Sequence, residues 1–412
     1  MDTVGKAMHE VGHVITVEPR QESGRPVILQ VLPSLVTGGV ERSAVDIAQA
    51  VQEAGGTAVV ASEGGPMEVE LQRHGATHVK LPLASKNPLV MLRNVRRLAQ
   101  LIDRFDVDIV HARSRAPAWS AFYAAKRRSR PFVTTFHGTY SEGVPLKKRY
   151  SAIMTRGERV IANSTFIAEH IRRNYTVDPG RIRVIHRGVD LLRFDINKIS
   201  VERVVALAQR WRLPDGVPVI MLPGRLTRWK GQGLLIEALT RLSDLEFIAL
   251  LVGSDQGRSD YRHELEQLIK AKGLLGKAMI MDECDDMPAA YRLADVVVSA
   301  STSPEAFGRV ISEAQALGRP VVAADHGGAP EQVLVDRTGF LFQPNSADAL
   351  AAALRKALSL TPAALRLLAV EGPIHVRQHF SKEQMCEQTL ALYREIQRQR
   401  AYNQDLQHLQ TA

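Results

Sequence analysis

The chain has 412 residues, of which 45% are hydrophobic and 24% charged, and its formal net charge is +9. A chain of this length exceeds what one hydrophobic core supports, so we expect two domains. No apolar run approaches the roughly 18 residues of a membrane-spanning helix, and the two cysteines exclude a disulfide framework and a multi-cysteine metal site.

The first 25 residues mix charged side chains with short apolar pieces. They lack the basic start, the apolar middle and the small-residue cleavage site of a signal peptide. We therefore expect residues 1–25 to form a flexible tail and the protein to be cytoplasmic.

Short apolar strands alternate with helical segments through the first half of the chain. Strands of four to eight residues that are apolar throughout and separated by helices predict a parallel sheet covered on both faces. The predicted strands are 27–36, 57–62, 79–82, 109–112, 132–136, 160–163 and 184–186. The predicted helices are 41–53, 67–74, 88–105, 116–126 and 164–174, and the helix at 88–105 has Leu89, Leu92, Val95, Leu98, Leu101 and Ile102 on its apolar side.

The alternation of strands and helices restarts near residue 218 and is followed by one long predicted helix at 381–399. The predicted fold is therefore α/β, with two doubly wound Rossmann-like domains facing across a cleft, where ligands bind at the carboxyl ends of the strands. We place the first domain at 26–205, the second at 206–380, and a C-terminal helical segment at 381–412 that returns toward the first domain. Predicted strands of the second domain are 218–222, 247–252, 278–281, 296–299 and 320–324, and its predicted helices are 231–242, 261–272, 287–294 and 308–317.

The segment 303–314 follows a predicted strand and enters a helix. Glu305 lies at the start of this helix and Glu313 eight residues later, roughly 12 Å away if the intervening residues are helical. The backbone amides of Phe307, Gly308 and Arg309 at a helix N-terminus would suit a phosphate group. The alternative is a surface helix whose first acidic residue only complements the helix dipole.

A second segment, 222–231, leaves the first strand of the second domain and enters a helix. Arg225 offers a planar fork to phosphate oxygens and Lys230 a compact positive charge. Gly224 and Gly231 would allow a tight turn and a close approach of the backbone. The alternative is an ordinary basic loop between a strand and a helix.

Together these segments resemble the retaining glycosyltransferases of family 4, which have the two-domain GT-B fold, over residues 27 to 399. In the second domain the resemblance is carried by Gly224-Arg225-Leu226 with Lys230-Gly231, Leu251-Val252-Gly253, Pro304-Glu305-Ala306-Phe307-Gly308 with Glu313-Ala314, Gly327-Gly328-Ala329-Pro330-Glu331 and Thr338-Gly339-Phe340-Leu341-Phe342. In the first domain it is carried by Gly38-Gly39-Val40-Glu41, His111, His137-Gly138, Asn163-Ser164, and Arg187-Gly188-Val189-Asp190 with Phe194.

This resemblance implies a donor site for a nucleoside-diphosphate sugar. Arg225 and Lys230 would neutralise the diphosphate, Glu305 would face the sugar, and His137 would point into the cleft beside it; these four are the expected catalytic residues. The remaining donor-binding residues would be Gly38, Gly39, Gly253, Phe307, Gly308, Arg309 and, on the ribose, Glu313. Neither a cofactor nor a metal is expected, and a dedicated general base is not required for a retaining reaction.

The implied activity is transfer of a hexosyl unit to a glycan or glycolipid. The segments 31–46 and 324–332 are similar to those of bacterial enzymes that assemble lipopolysaccharide or surface polysaccharide. One alternative is a transferase with a soluble acceptor, like the sucrose and glycogen synthases. The other is a non-catalytic nucleotide- or glycan-binding protein of the same fold.

Three other motifs resemble metal- or nucleotide-binding sequences only in part. Asp106-Val107-Asp108 resembles an Asp-x-Asp metal signature, but it precedes an apolar strand and is interpreted as a helix-to-strand turn. The acidic loop 282–286 lacks the ligand pattern of a calcium loop and is expected to border the nucleotide base. The glycine loop 37–43 lacks both the Lys-Ser/Thr ending of a triphosphatase loop and a full G-x-G-x-x-G.

Positive charge is concentrated between residues 81 and 160, with 16 Lys and Arg against 5 Asp and Glu. Such a surface favours anionic partners. We expect it to dock on the inner face of the plasma membrane or to grip a phosphorylated acceptor; an inert solvated surface is the alternative. Nucleic acid is not expected, because no aromatic-interleaved patch accompanies the charge.

Overall fold

The computed structural model of the chain describes residues 25–36, 38–140, 145–257 and 259–411, and its strands form two separate parallel sheets. The tail predicted at residues 1–25 lies outside the described residues except for Arg25. In each sheet the order of strands runs outward in both directions from the first strand, as in doubly wound folds. The two doubly wound domains predicted from the alternation of strands and helices are confirmed.

The first sheet has seven strands in the order β3-β2-β1-β4-β5-β6-β7. Its elements are β1 (Val27–Val31), α1 (Gly39–Glu53), β2 (Thr57–Ser62), α2 (Glu68–Arg73), β3 (Thr77–Lys80), α3 (Pro88–Phe105), β4 (Ile109–Ala112), α4 (Arg115–Arg127), β5 (Phe132–Phe136), α5 (Pro145–Ser151), β6 (Arg159–Ala162), α6 (Thr165–Asn174) and β7 (Ile182–Val184).

The second sheet has six strands in the order β10-β9-β8-β11-β12-β13. Its elements are α7 (Val201–Arg210), β8 (Val219–Pro223), α8 (Gln232–Leu239), β9 (Ile248–Val252), α9 (Ser259–Ala271), β10 (Ala278–Met281), α10 (Met287–Leu293), β11 (Val296–Ser299), α11 (Arg309–Ala316), β12 (Val321–Ala324), β13 (Gly339–Phe342), α12 (Ala347–Leu358), α13 (Pro362–His379) and α14 (Lys382–Thr411).

Most strands form where the sequence is apolar throughout, because helices cover both faces of each sheet. The edge strand β3 is the exception, with exposed Thr77 and Lys80 at its ends. β1 stops at Val31 although its apolar run continues to Val36. Pro33 has no amide hydrogen and cannot continue the hydrogen-bonded ladder, so the chain leaves the sheet there. This shortens the predicted strand at 27–36 and opens the loop that leads into α1.

The predicted apolar side of α3 is only partly buried. Leu98, Leu101 and Ile102 lie in the core of the first domain, whereas Leu89 and Leu92 in the first two turns are 67% and 62% exposed. The same part of α3 nevertheless contacts α4, where the hydroxyl of Ser120 donates to the carbonyl oxygen of Met91 at 2.9 Å. The exposed leucines therefore belong to the surface of the molecule.

The chain crosses between the domains twice. α7 packs against α10 of the second domain, so the predicted boundary at 205/206 falls inside a helix that lies with the second sheet. α14 runs the other way and buries Tyr393 and Ile396, among others, in the first-domain core. The hydroxyl of Tyr393 hydrogen-bonds Nδ1 of His111 at 2.6 Å, which fixes α14 to the first sheet.

Asp106 and Asp108 have the structural roles predicted for a helix-to-strand turn. Asp106 ends α3 with φ of 46° and pairs with Arg130 at 2.5 Å. The Asp108 carboxylate accepts a hydrogen bond from the Val27 amide at 2.9 Å, at the start of β1. Within the described ranges no single helix is long and apolar enough to cross a membrane; α12 and α13 meet that test only as a pair bent by 103°.

Candidate functional site

The two sheets face each other across a cleft that contains two adjoining cavities of about 820 and 760 Å³. Both cavities are lined by loops that follow the carboxyl ends of strands. Residues lining both include Gly38 from the first domain and Arg225, Arg309 and Glu313 from the second. The cavities are therefore two parts of one site, at the position where doubly wound sheets bind ligands.

The loop after β8 contains the predicted phosphate-binding residues Arg225 and Lys230, and both line the site. Gly224 has φ of 147° and Gly231 φ of 78°, both in the region that favours glycine. A Cβ atom at Gly231 would lie 1.8 Å from the carbonyl oxygen of Ala300, so only glycine allows the loop to pack against the end of β11. Arg225 is exposed in the cavity, and the ammonium of Lys230 lies 4.6 Å from the centre of the Trp229 ring.

Glu305, in the loop between β11 and α11, forms an ion pair with Lys230. Its Oε1 lies 2.6 Å from Nζ of Lys230, and its Oε2 accepts a hydrogen bond from Ser301 at 3.1 Å. The carbonyl oxygen of Glu305 accepts from the Gly328 amide at 2.9 Å. A Cβ at Gly327 would lie 2.4 Å from this carbonyl oxygen, so the glycine pair Gly327-Gly328 forms the support beneath Glu305.

The helix after Glu305 begins later than the sequence predicted. α11 starts at Arg309, after Gly308 with φ of 81°, so residues 305–308 are not helical and the distance estimated from helical rise does not apply. Gly308 and Arg309 line the cavity, while the side chain of Phe307 is buried and packs against Phe380. The predicted phosphate-facing helix start is thus present, one residue further along the chain.

Glu313 is held where the two cavities meet. Its Oε2 accepts a hydrogen bond from the hydroxyl of Tyr291 at 2.9 Å, and Nε of Arg309 lies 3.9 Å from its Oε1. Burial, with the nearby Glu313 carboxylate, raises the pKa of Tyr291 well above 10, so this hydroxyl remains a hydrogen-bond donor. Tyr291 was not singled out from the sequence, because its position within an apolar helix gave no functional signal.

The larger cavity continues past Gly253 to the acidic loop 282–286. A Cβ at Gly253 would lie 2.1 Å from the carbonyl oxygen of Gly224, so glycine lets the loops after β8 and β9 pack together. Glu283, Cys284 and Asp285 line the cavity. Among the residues that the structure describes, no group of three or more His, Cys, Asp or Glu side chains is placed to hold a metal ion.

The first domain contributes the glycine loop before α1. The helix begins at Gly39, two residues before the predicted start. Gly38 lines both cavities, and a Cβ at Gly39 would lie 2.0 Å from Nη1 of Arg187. The absence of a side chain at Gly39 therefore leaves room for the guanidinium of Arg187 in the cleft.

His137 lines the smaller cavity with Arg187 as its partner. Nη2 of Arg187 donates to Nδ1 of His137 at 2.9 Å. Burial, aided by the positive charge of Arg187, lowers the pKa of His137 well below 6.5, so the imidazole is neutral. Burial also lowers the pKa of Arg187 to about 10, which leaves the guanidinium charged at neutral pH.

All eleven residues expected at the donor site therefore line one or both of the two cavities: Gly38, Gly39, His137, Arg225, Lys230, Gly253, Glu305, Phe307, Gly308, Arg309 and Glu313. The sequence analysis gave no role at the site to Arg187, which it named only as part of a motif, and did not single out Tyr291 or Asp46. Asp46 lies on α1 beside the larger cavity, where burial raises its pKa to about 6 against the opposing effect of Arg42. For Asp46, the signal available in the sequence was a charged residue within an otherwise apolar helix turn.

One carboxylate joins the two domains behind the site. Glu331, from the second domain, accepts hydrogen bonds from the amides of Thr165 and Phe166 at 2.7 and 2.6 Å, at the N-terminus of α6 in the first domain. Nε2 of His186 lies 3.0 Å from the same carboxylate. Burial alone would raise the pKa of Glu331, but these hydrogen bonds lower it below 4.5, so the group is anionic.

Two family profiles match the chain: Glycosyltransferase Family 4 over residues 37–193 and Glycosyl transferases group 1 over residues 206–368. A glycosyltransferase structure from Rickettsia africae is 38% identical, with a TM-score of 0.84 over 90% of this chain and 98% of that chain. HepE of Anabaena, solved in complex with UDP-glucose, is 27% identical, with a TM-score of 0.79 over 90% of this chain and 99% of that chain.

Among curated proteins, the D-inositol 3-phosphate glycosyltransferase of Xylanimonas cellulosilytica is 32% identical over 250 residues. That alignment covers 57% of this chain and 59% of the relative. The chain thus spans less than two thirds of the length of this curated relative.

The contact between Glu331 and α6 predicts an effect on domain closure. Replacing Glu331 with Gln presents an amide NH₂ to a helix N-terminus and leaves one of the two α6 amides without its carboxylate acceptor. We expect the free energy of unfolding to fall by about 1.5–3 kcal/mol and the radius of gyration from small-angle X-ray scattering to increase. Glu63→Gln, at an exposed side chain, is the matched control; scattering and unfolding identical to wild type in Glu331→Gln would contradict the assignment.

Proposed function

Because the chain belongs to the glycosyltransferases of family 4, with a group 1 glycosyl transferase domain in its second half, we propose that it transfers a hexosyl unit from a nucleoside-diphosphate sugar to a glycan or glycolipid. The observation that carries this proposal is the convergence of Arg225, Lys230 and the start of α11 on one cavity that also contains Glu305 and Glu313. Cations and a helix start together suit a diphosphate, and the two carboxylates suit hydroxyl groups.

The chemistry follows from where negative charge develops. When the bond between the anomeric carbon and the phosphate oxygen breaks, its electron pair stays on the departing diphosphate. Arg225, Lys230 and the amides at the start of α11 would stabilise this charge in a partly water-excluded cavity. In the proposed mechanism the protein's own groups perform this task, and no resident metal takes part.

We propose that the reaction retains the anomeric configuration. The acceptor oxygen then attacks the anomeric carbon from the face that the phosphate leaves, and the acceptor proton passes to the departing phosphate oxygen. No side chain has to act as general base in such a step. This agrees with the neutral state of His137, whose buried ring is held by Arg187 as a hydrogen-bonding group and is not poised near neutral pH.

We propose uridine diphosphate as the nucleotide, on the similarity to one relative. HepE, which is similar along 90% of this chain, was solved with UDP-glucose and with UDP. The base would lie in the larger cavity between Gly253 and the acidic loop 282–286, with the ribose hydroxyls at Glu313. Tyr291 would support the ribose contact by orienting the Glu313 carboxylate.

The acceptor belongs to the first domain, whose surface has basic and apolar residues side by side. Leu89 and Leu92 on α3 are exposed, and Leu146 on α5 is 78% exposed next to Lys147, Lys148 and Arg149. Exposed leucines flanked by cations match the requirements for contact with an anionic bilayer. We propose that this surface docks on such a membrane and that the acceptor is a membrane glycolipid of lipopolysaccharide or surface-polysaccharide assembly.

A soluble phosphorylated acceptor is the second candidate. It is favoured by the curated relatives, which are named D-inositol 3-phosphate glycosyltransferases. The same basic surface would then attract the acceptor phosphate instead of lipid headgroups. Binding to vesicles distinguishes the two candidates.

The donor assignment predicts selective stabilisation by one nucleotide. At a hundred times its dissociation constant, UDP is expected to add about 2.7 kcal/mol to the stability of the protein, whereas GDP and ADP add less. Lys230→Ala removes a cation from the diphosphate site and should abolish the shift in a thermal-unfolding assay. Lys270→Ala, at an exposed lysine of α9, should leave it unchanged. Equal inertness of wild type to UDP, GDP and ADP would favour a non-catalytic protein of the same fold.

The membrane assignment predicts binding to anionic vesicles that weakens with salt. Replacing Lys147, Lys148 and Arg149 with Ala removes three charges, each contributing about 1 kcal/mol near an anionic surface. We expect the affinity for phosphatidylserine-containing vesicles to fall on the order of 100-fold at low salt, as measured by co-sedimentation. The charge-matched control replaces the exposed Lys270, Arg366 and Arg394 of other helices. No binding of wild type to these vesicles would contradict the membrane assignment and favour the soluble acceptor.

A further inference from the structure

One guanidinium of the first domain lines the smaller cavity without a paired carboxylate. Arg187 follows β7 and lies beside His137. Its Nη2 donates to Nδ1 of His137 at 2.9 Å, whereas its Nε is buried without a partner among the described residues. In the described part of the chain no carboxylate forms an ion pair with Arg187, and the imidazole that it contacts is neutral. A charge shielded from water in this way calls for an anion from outside the protein.

A second cation faces the same space from the other domain. Arg309, the first residue of α11, also lines the smaller cavity. Burial, and after it the charge of Arg309, lower the pKa of Arg187, whereas Glu305 and Glu41 oppose the effect. Glu305 already pairs with Lys230 at 2.6 Å. Two like charges thus meet across the cleft, and a negative ligand between them would be attracted to both.

The start of α1 fixes where the guanidinium lies. A Cβ atom at Gly39 would be 2.0 Å from Nη1 of Arg187, so the guanidinium lies against the first residue of this helix. Gly38, the residue before it, lines both cavities and has no side chain to cap the helix. Amides at a helix start and an adjacent guanidinium all donate hydrogen bonds, and together they favour an anion. The second domain has the same combination in Arg225 and the start of α11.

Hydrogen bonding determines the chemistry of the ligand. A guanidinium has five N–H donors and no acceptor, and only one of its bonds goes to His137 among the described residues. A sugar hydroxyl could accept another, but it would leave the charge of Arg187 uncompensated. A diphosphate offers several acceptor oxygens together with negative charge, so its bonds to a guanidinium are charge-assisted.

We propose that Arg187 binds the diphosphate of the donor from the first domain, opposite Arg225 and Lys230 of the second. This inference rests on the proposed function and adds a cation to the site of the leaving group. When the bond between the anomeric carbon and the phosphate oxygen breaks, the electron pair stays on that oxygen and Arg187 remains protonated. The contact strengthens as the charge develops, so it favours the transition state as well as binding.

Calorimetric affinities of UMP and UDP, measured without an acceptor, test this contact. Arg187→Gln removes the charge but keeps an N–H donor for His137. We expect this variant to bind UDP on the order of 10-fold more weakly than wild type and UMP like wild type, because the β-phosphate lies on the sugar side of the donor. Arg187→Lys keeps the charge and should bind UDP more tightly than Arg187→Gln. Arg172→Gln, at an exposed position of α6, is the matched control and should bind both nucleotides like wild type.

Thermal unfolding without nucleotide separates this role from a structural one. Since Arg187 has no ion pair among the described residues, Arg187→Gln should unfold at the temperature of wild type or above it. Equal UDP affinities of wild type and Arg187→Gln would overturn the inference and leave an acceptor phosphate as the anion of this site. Equal losses of UMP and UDP affinity, together with a lowered unfolding temperature, would overturn it in favour of a structural role. Failure of wild type to bind UDP would instead contradict the proposed function.

Discussion

The ion pair between Lys230 and Glu305 is the contact on which the site depends. The two residues lie on loops after β8 and β11, which are neighbours at the point where the strand order of the second sheet reverses. Both side chains are largely shielded from solvent, with exposures of 12% and 24%. Each charge in such a pair compensates the other, and removal of one leaves the other poorly solvated. The pair therefore fixes a cation and a carboxylate side by side at the floor of the cleft.

Backbone packing around glycine holds this pair in place and connects it to the other domain. Gly231 lies against the end of β11, and Gly327-Gly328 lies beneath Glu305. Four residues after Gly327, Glu331 binds the N-terminus of α6. The short segment 327–331 thus supports Glu305 at one end and hydrogen-bonds the first domain at the other.

The sequence predicted the fold well because strands buried on both faces leave an apolar signal that needs no tertiary information. The prediction failed where contacts between distant parts of the chain determine the elements and their exposure. β13 and α12 were not predicted, and Leu89 and Leu92 face solvent although they lie on the predicted apolar side of α3. The family resemblance implied that Arg225, Lys230 and Glu305 share one site, and in the structure all three line the smaller cavity. The pairing of Arg187 with His137, fifty residues apart, depends on strand order and was beyond sequence reasoning.

The central claim is that the cations and the start of α11 receive a diphosphate, and the phosphate dependence of binding tests it most directly. Calorimetric affinities of uridine, UMP and UDP would be compared in wild type and in Arg225→Ala. The account predicts that affinity rises with each phosphate in wild type, and that Arg225→Ala loses most of the gain between UMP and UDP, because the charge-assisted contact is gone. Equal affinities of uridine and UDP in wild type would contradict the account.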